Sequence, residues 1–234
     1  SYDCIVGGSG GKDSVFQSHM LKYKYNMKPL TVTWAPHIYT EIGFKNFQNW
    51  IHIGGFDNYL YTPNGKIHRK LTQEATKNLL HPFQPFIIGQ KTFVVKMACK
   101  FNIPLIFYGE MPGEYGRKIS HKTNFLSLNN KNIKQQGYRL DPLEGKEFIE
   151  TYLGGKKVRH YLEEGINLND LDSYRPMNPD IIKKKKIEFH FLGYYLRFVP
   201  QENYYFAVDK VNFTANPERT EGTYSKYNSI DDKL

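Results

Sequence analysis

Tyr2-Asp3-Cys4-Ile5-Val6-Gly7-Gly8-Ser9-Gly10-Gly11-Lys12-Asp13-Ser14 leads straight into Val15-Phe16-Gln17-Ser18-His19-Met20-Leu21. The apolar stretch at 2–6 predicts a buried strand, the small residues at 7–11 a turn, and the residues from Val15 a helix. A helix that starts just after a glycine-rich turn has first-turn amides with no intrahelical acceptor, and these favour an anion. An ordinary strand-to-helix turn has the same outline. Ser9, Lys12 and Asp13 packed into it argue instead for a ligand.

The spelling separates the known phosphate loops. The Walker pattern requires Ser or Thr after its lysine, to bind magnesium; Asp13 follows Lys12. The dinucleotide fingerprint G-x-G-x-x-G, read from Gly8, meets Asp13 where its last glycine should stand. Ser9-Gly10-Gly11-Lys12-Asp13-Ser14 instead resembles the PP-loop signature of the ATP pyrophosphatase superfamily, which cleaves ATP between its α and β phosphates. In that reading the cofactors are ATP and Mg²⁺. Gly8, Gly10 and Gly11 let the backbone approach the phosphates. Ser9 and Ser14 donate hydroxyl hydrogen bonds, and Lys12 supplies a compact positive charge. Asp13 cannot attract an anion, so its expected role is to hold Mg²⁺ or orient the loop. A helix terminus contributes only about 0.3–2 kcal/mol, so lysine and metal must carry most of the neutralisation.

Further runs rich in β-branched and aromatic residues place strands at Leu30 to Trp34, Asn58 to Tyr61, Ile103 to Tyr108 and Ile187 to Leu192. Helices are expected near Val15 to Tyr25, Thr40 to Ile53, Lys66 to Leu80, Pro85 to Phe101 and Pro200 to Val211, the last led by a proline. The alternation predicts an α/β fold, a doubly wound parallel five-stranded sheet whose ligand crevice lies at the carboxyl ends of the strands. Residues 1–234 read as a single domain. Its pattern breaks from Met111 to Lys186, too long for a plain loop. That stretch, with helical segments near Leu143 to Tyr152 and Lys156 to Glu164, is expected to be an insertion over the edge of the site. Residues 187–234 form the C-terminal segment. Ser1 stands where an initiator Met would, and no closing element follows Asp231-Asp232-Lys233-Leu234, so the chain reads as a fragment of a longer one.

Composition limits the partners. The 234 residues are 40% hydrophobic and 15% aromatic, which is enough for one sizeable core. No apolar run has the length of a membrane span and no signal pattern opens the chain, so a cytoplasmic protein without membrane contact is expected. The formal charge of +9 suits an anionic ligand. Two isolated cysteines make neither a disulfide framework nor a zinc pair. The eight histidines are scattered without metal-ligand spacing. The run Lys183 to Lys186 reads as a solvated face.

Other residues expected near the nucleotide lie at strand ends. Val32, Thr33 and Trp34 end the second strand and are candidate base contacts; a core tryptophan is an equally good reading of Trp34. Gly109 and Glu110 end the fourth, where a carboxylate fits Mg²⁺, and Glu114 follows. Gly89-Gln90-Lys91 is read as a helix opening that faces phosphate, or simply as a helix start.

Beyond the loop, several strings resemble the N-acetyl sugar amidotransferases: Leu30 to Pro36, Thr40 to Gly43, Pro85 to Lys91, Ile103 to Glu110 and Glu221 to Tyr224. The likeness spans nearly the whole chain and is weakest at Asn129 to Gln136. It implies ATP-dependent activation of the acetamido oxygen of an N-acetylated sugar, free or nucleotide-linked, with nonulosonic acids among the candidates. Nitrogen derived from ammonia then replaces that oxygen, giving an acetamidino sugar for surface polysaccharide or flagellin glycan. A separate glutaminase subunit is the implied ammonia source. Relatives carry a cysteine-bearing segment before this region and a helical one after it, both missing here. The alternative is a PP-loop tRNA-modifying enzyme, a thiolase or an amine ligase. Thiolation normally needs a cysteine pair, so nucleic acid is the less expected partner.

Overall fold

A computed structural model describes residues 1–109, 147–219, 224–228 and 230–234. Strands β1 (Cys4–Gly7), β2 (Pro29–Trp34), β3 (Asp57–Tyr61) and β4 (Leu105–Tyr108) are followed by a short hairpin, β5 (Tyr152–Leu153) and β6 (Lys156–Lys157), and then by β7 (Glu188–Phe191). The five long strands form one sheet in the order β3-β2-β1-β4-β7. Every neighbouring pair is parallel. These are the five strands expected, in a doubly wound arrangement.

The helices are α1 (Lys12–His19), α2 (Glu41–His52), α3 (Gly65–Leu79), α4 (Gln84–Phe101), α5 (Val158–Glu163), α6 (Pro179–Lys184), α7 (Leu192–Tyr195) and α8 (Pro200–Val211). A π-helical turn, Met20–Lys24, extends α1. Thr40 caps α2 by accepting the Gly43 amide at 2.8 Å, and Asn64 caps α3. Left-handed Leu80, Asn102 and Asn212 stop α3, α4 and α8.

The sheet is covered on both faces, which is why β2 is buried along its whole length. Alternate residues separate the two layers. Ile5, Leu30, Val32 and Trp34 join the core containing α3 and α4, among them Leu71, Phe93 and Ala98. Cys4 and Val6 point the other way, towards Leu21 and Phe107. On that side α1, α2 and α8 share a second cluster built on Val15, Phe47, Trp50, Ala207 and Val211. Thr31 and Thr33, the polar alternates of β2, are buried yet satisfied: Asn58 donates to both hydroxyls, at 2.9 and 3.0 Å.

Residues 147–174 of the insertion pack into the α3–α4 core, where Phe148, Leu153, Val158, Tyr161, Leu171 and Tyr174 are buried. Burial of each such aliphatic or Phe side chain contributes roughly 1.5–3 kcal/mol. The helices expected there need correction. The segment expected as a helix up to Tyr152 contains instead a 3₁₀ turn, Phe148–Glu150, and the hairpin strand β5. Gly154 and Gly155, at φ +63° and +75°, close that hairpin. A Gly-Gly pair supplies the positive φ that a two-residue turn demands. α5 consequently starts at Val158 rather than Lys156. The rest of the insertion, including Asn129 to Gln136, lies outside the described residues. Lys183 to Lys186 are exposed, and no described helix is long and apolar enough to cross a membrane.

Gly89 sits inside α4 because Trp34 fills the space a side chain would need. A Cβ there would lie 2.4 Å from Trp34 Cζ2. Alanine is the better helix former by about 1 kcal/mol, but forcing a methyl into a packed core costs typically 1–3 kcal/mol. Gly89→Ala is therefore expected to lower the urea midpoint of unfolding; a rise would mean that the Trp34–α4 contact is looser than described.

Candidate nucleotide site

β1 is the central strand, flanked by β2 and β4. The chain runs outward through β2 and β3, then crosses back to the other side of β1. The reversal makes the β1–β4 boundary the topological switch point, where open α/β sheets bind ligands. Residues 8–14 emerge there.

The loop is shaped by what lies beneath it. The Gly8 amide donates to the Val32 carbonyl at 3.0 Å, and the Thr33 hydroxyl donates to the Gly8 carbonyl at 2.7 Å. A Cβ on Gly8 would stand 2.5 Å from Ser14 Oγ. Gly10 has φ +87°, and a Cβ on it would lie 2.7 Å from Phe47 Cα in α2. These two glycines are therefore required by the protein's own packing, where the sequence had assigned them to phosphate approach. Gly11 is different, since a Cβ there would meet only Ser9 Oγ, at 3.8 Å. It holds the N-cap position of α1 in extended conformation with no side chain capping the helix. The Ser9 amide donates to Ser14 Oγ at 3.3 Å, which leaves the Ser14 hydroxyl its own proton to give.

Lys12 is only 7% exposed. Its ammonium lies 2.5 Å from Asp13 Oδ2 and 5.4 Å from the centre of the Tyr227 ring. Asp13 Oδ1 accepts from Asn203 Nδ2 of α8 at 3.1 Å. The pair is thus held from one side by α8 and from another by the C-terminal segment. Gly109, just after β4, comes close to the same residues: a Cβ on it would be 3.6 Å from the Asp13 carbonyl oxygen and 3.8 Å from Gln17 Cδ. Gln17 is buried, with Oε1 lacking a hydrogen-bond partner among the described residues. Glu110 and Glu114 lie outside the described residues. Among the described ones, no three His, Cys, Asp or Glu side chains gather as a metal cage. Mg²⁺ usually keeps several waters and one or two carboxylates beside substrate phosphates; Asp13 is a carboxylate of the loop, and its two oxygens face the Lys12 ammonium and the Asn203 amide.

The remaining expected residues divide. Val32 and Trp34 are core side chains and Thr33 is spent on Gly8, so these three can offer a ligand only main chain. Trp34 packs on Tyr61, Phe93 and Tyr174. The Gly89-Gln90-Lys91 reading needs correction: α4 begins at Gln84, which puts these residues in its second turn rather than at its opening. The helix starts earlier because Pro85 suits its first turn. Lys91 lies over the Tyr108 ring at 4.3 Å.

The sequence offered no local sign of Tyr227 or of the strap formed by residues 230–234. Asn203 had a faint one, because it shares the i, i+4, i+8 stripe of Ala207 and Val211, the buried residues of α8. The strap lies along residues 37–40: Tyr39 and Asp232 form an antiparallel bridge, Asp232 Oδ2 accepts the His37 amide at 2.7 Å, and Thr40 Oγ1 donates to the Ile230 carbonyl. Gly43 is a glycine because Asp231 Cα would stand 2.5 Å from a Cβ there. Burial raises the Asp231 pKa, with a hydrogen bond from Ser9 pulling the other way.

Both cysteines are buried, and burial disfavours their thiolates. Burial, followed by the charge of Asp3, pushes the Cys4 thiol up to about 12, and burial also raises Cys99.

No protein-family model matches the chain, and no curated protein matches it. Among solved structures it is similar to one described as the crystal structure of a predicted subunit of tRNA methyltransferase from Methanocaldococcus jannaschii DSM. The identity is 14% and the TM-score 0.42, over 88% of this chain and 75% of that one. A likeness at that level says nothing of this chain's chemistry.

His37 stacks on His68 at 4.6 Å, and Tyr174 OH lies 2.7 Å from His68 Nδ1. Burial, then the neighbouring His37, lowers the His68 pKa from 6.5 to about 4, against a smaller pull from Asp232. Below its ordinary value the unfolded chain takes up a proton that the folded one refuses. Stability is therefore full above pH 6.5 and falls as the pH drops towards 4. Urea midpoints measured across that window should fall more steeply for the native chain than for His68→Gln; equal slopes would show that His68 titrates normally in the fold.

Proposed function

We propose that residues 9–14 bind the phosphates of ATP and that the chain uses ATP, with release of pyrophosphate, to activate the acetamido oxygen of an N-acetylated sugar. The supporting observation is one juxtaposition at the switch point: an uncapped α1 start with open space at Gly11, the Lys12–Asp13 pair, and Asp13 brought beside Gly109. The sugar is supported by the strings that resemble the amidotransferases.

An amide carbonyl is a poor electrophile, so exchanging its oxygen requires making that oxygen a leaving group. In the proposed reaction the acetamido oxygen attacks the α-phosphorus and the α–β bridging bond breaks. Pyrophosphate departs towards Lys12 and the hydroxyls of Ser9 and Ser14. Ammonia adds to the O-adenylated imidate, the C–O bond breaks, AMP leaves with the oxygen, and the amidine remains. Lys12 acts where negative charge develops, which is where a fixed donor lowers a barrier most. Asn203 is a positioning residue that fixes Asp13. Mg²⁺ brought in with ATP would neutralise phosphate charge, with Asp13 as its protein anchor. The two buried cysteines offer no glutaminase nucleophile, so ammonia comes from a separate glutaminase subunit or from solution.

The test is mass spectrometry of N-acetylated sugars incubated with the protein, ATP, Mg²⁺ and ammonium, read for exchange of O for NH, together with AMP and pyrophosphate assays. Sugar-dependent AMP formation is expected. AMP formation stimulated by tRNA alone would overturn the sugar reading. Lys12→Ala is expected to lower kcat/KM for ATP by roughly 100- to 1,000-fold, the usual cost of losing one transition-state donor. Unchanged pyrophosphate release by that variant would remove the loop from the chemistry.

A further inference from the structure

A groove of about 460 Å³ opens between α8 and residues 215 and 224–228, lined by Gln201, Tyr204, Tyr224, Lys226, Tyr227 and Asn228 among others. Its size falls in the small-ligand range of about 300–1,000 Å³. It adjoins the loop through one side chain, because the Tyr227 ring that forms part of its wall also lies 5.4 Å from the Lys12 ammonium. Tyr227 is fixed there twice: it stacks on Tyr204 at 4.7 Å and 18°, and its hydroxyl donates to Gln201 Oε1 at 2.9 Å.

From this geometry we infer that the groove is the acceptor site, holding one N-acetylated sugar ring with its acetamido group turned past Tyr227 towards the loop. The inference rests on the acceptor-activating reading above and adds where the acceptor sits. The Gln201 amide and the tyrosine hydroxyls offer donors and acceptors to a hydroxyl-rich ligand. Tyr224 is 94% exposed, which leaves its ring open to the C–H face of a sugar. Among the described lining residues there is no carboxylate, and Lys226 is the charged side chain, which suits an acidic sugar. A nucleic acid strand would need a basic track following its backbone; a single lysine does not make one.

Saturation-transfer NMR gives a readout free of turnover. With α,β-methylene-ATP present, N-acetylneuraminic acid and N-acetylglucosamine serve as acidic and neutral probes. Saturation of the acetyl methyl of at least one probe is expected with the native chain and is lost with Tyr224→Ala and Gln201→Ala. The first of these changes an exposed residue and should leave folding intact. In turnover, both variants should raise KM for the sugar by about tenfold, as when uniform binding is removed, with KM for ATP unchanged. Equal binding and equal KM in the variants, with sugar-dependent AMP formation in the native chain, would move the acceptor out of the groove and leave the proposed reaction standing. Absence of sugar-dependent AMP formation in the native chain would overturn both.

Discussion

The approach of α2 to the loop is the constraint on which the site depends. Gly10 lies against the backbone of Phe47 so tightly that no side chain fits between them. One turn further along α2, Trp50 is fully buried, and its indole donates to Ser18 Oγ at 2.8 Å; that hydroxyl in turn donates to the Ser14 carbonyl at 2.6 Å. α2 therefore fixes the glycine turn at one end and the first turn of α1 at the other. Any shift of α2 is transmitted to the atoms that would face phosphate, because packed interiors transmit strain rather than absorb it.

The sheet was readable because a central parallel strand buried on both faces, such as β2, is written as a nearly unbroken run of apolar and β-branched residues, and five runs rich in β-branched and aromatic residues alternate with helical periods. α8 was readable to the residue, since Pro200 and the apolar spacing up to Val211 are local signals. The hairpin at Gly154-Gly155 was missed although its signal is local, because short helical spacing on either side outweighed it. The burial of residues 147–174 was not legible for a different reason. Their burial depends on the face of α4 they cover, as with Thr92 Oγ1 donating to the Ser173 carbonyl at 2.9 Å, and nothing within the segment announces that partner.

The loop itself was legible as a motif but not as a structure. Its spelling pointed to pyrophosphate chemistry, while the reasons for Gly8 and Gly10 lie in Ser14 and α2, which a motif does not describe. Trp34 is the clearest case. A tryptophan at the end of a strand reads equally as a base platform or as core, and only the fit of Gly89 against its ring decides for core. Convergence of Asn203 and Tyr227 on Lys12-Asp13, and of the strap on residues 37–40, is long-range by nature and left almost no trace in the sequence.

Asn203 and Asp13 are 190 positions apart, and Asp232 and His37 are 195 apart. A chain emerging from the ribosome presents the glycine loop early, but Asp13 has no Asn203 to hold it and residues 37–40 have no strand to pair with. The order of synthesis thus separates the appearance of the loop from the completion of its walls. A nascent chain carries the spelling of the loop long before it carries the walls that shape it.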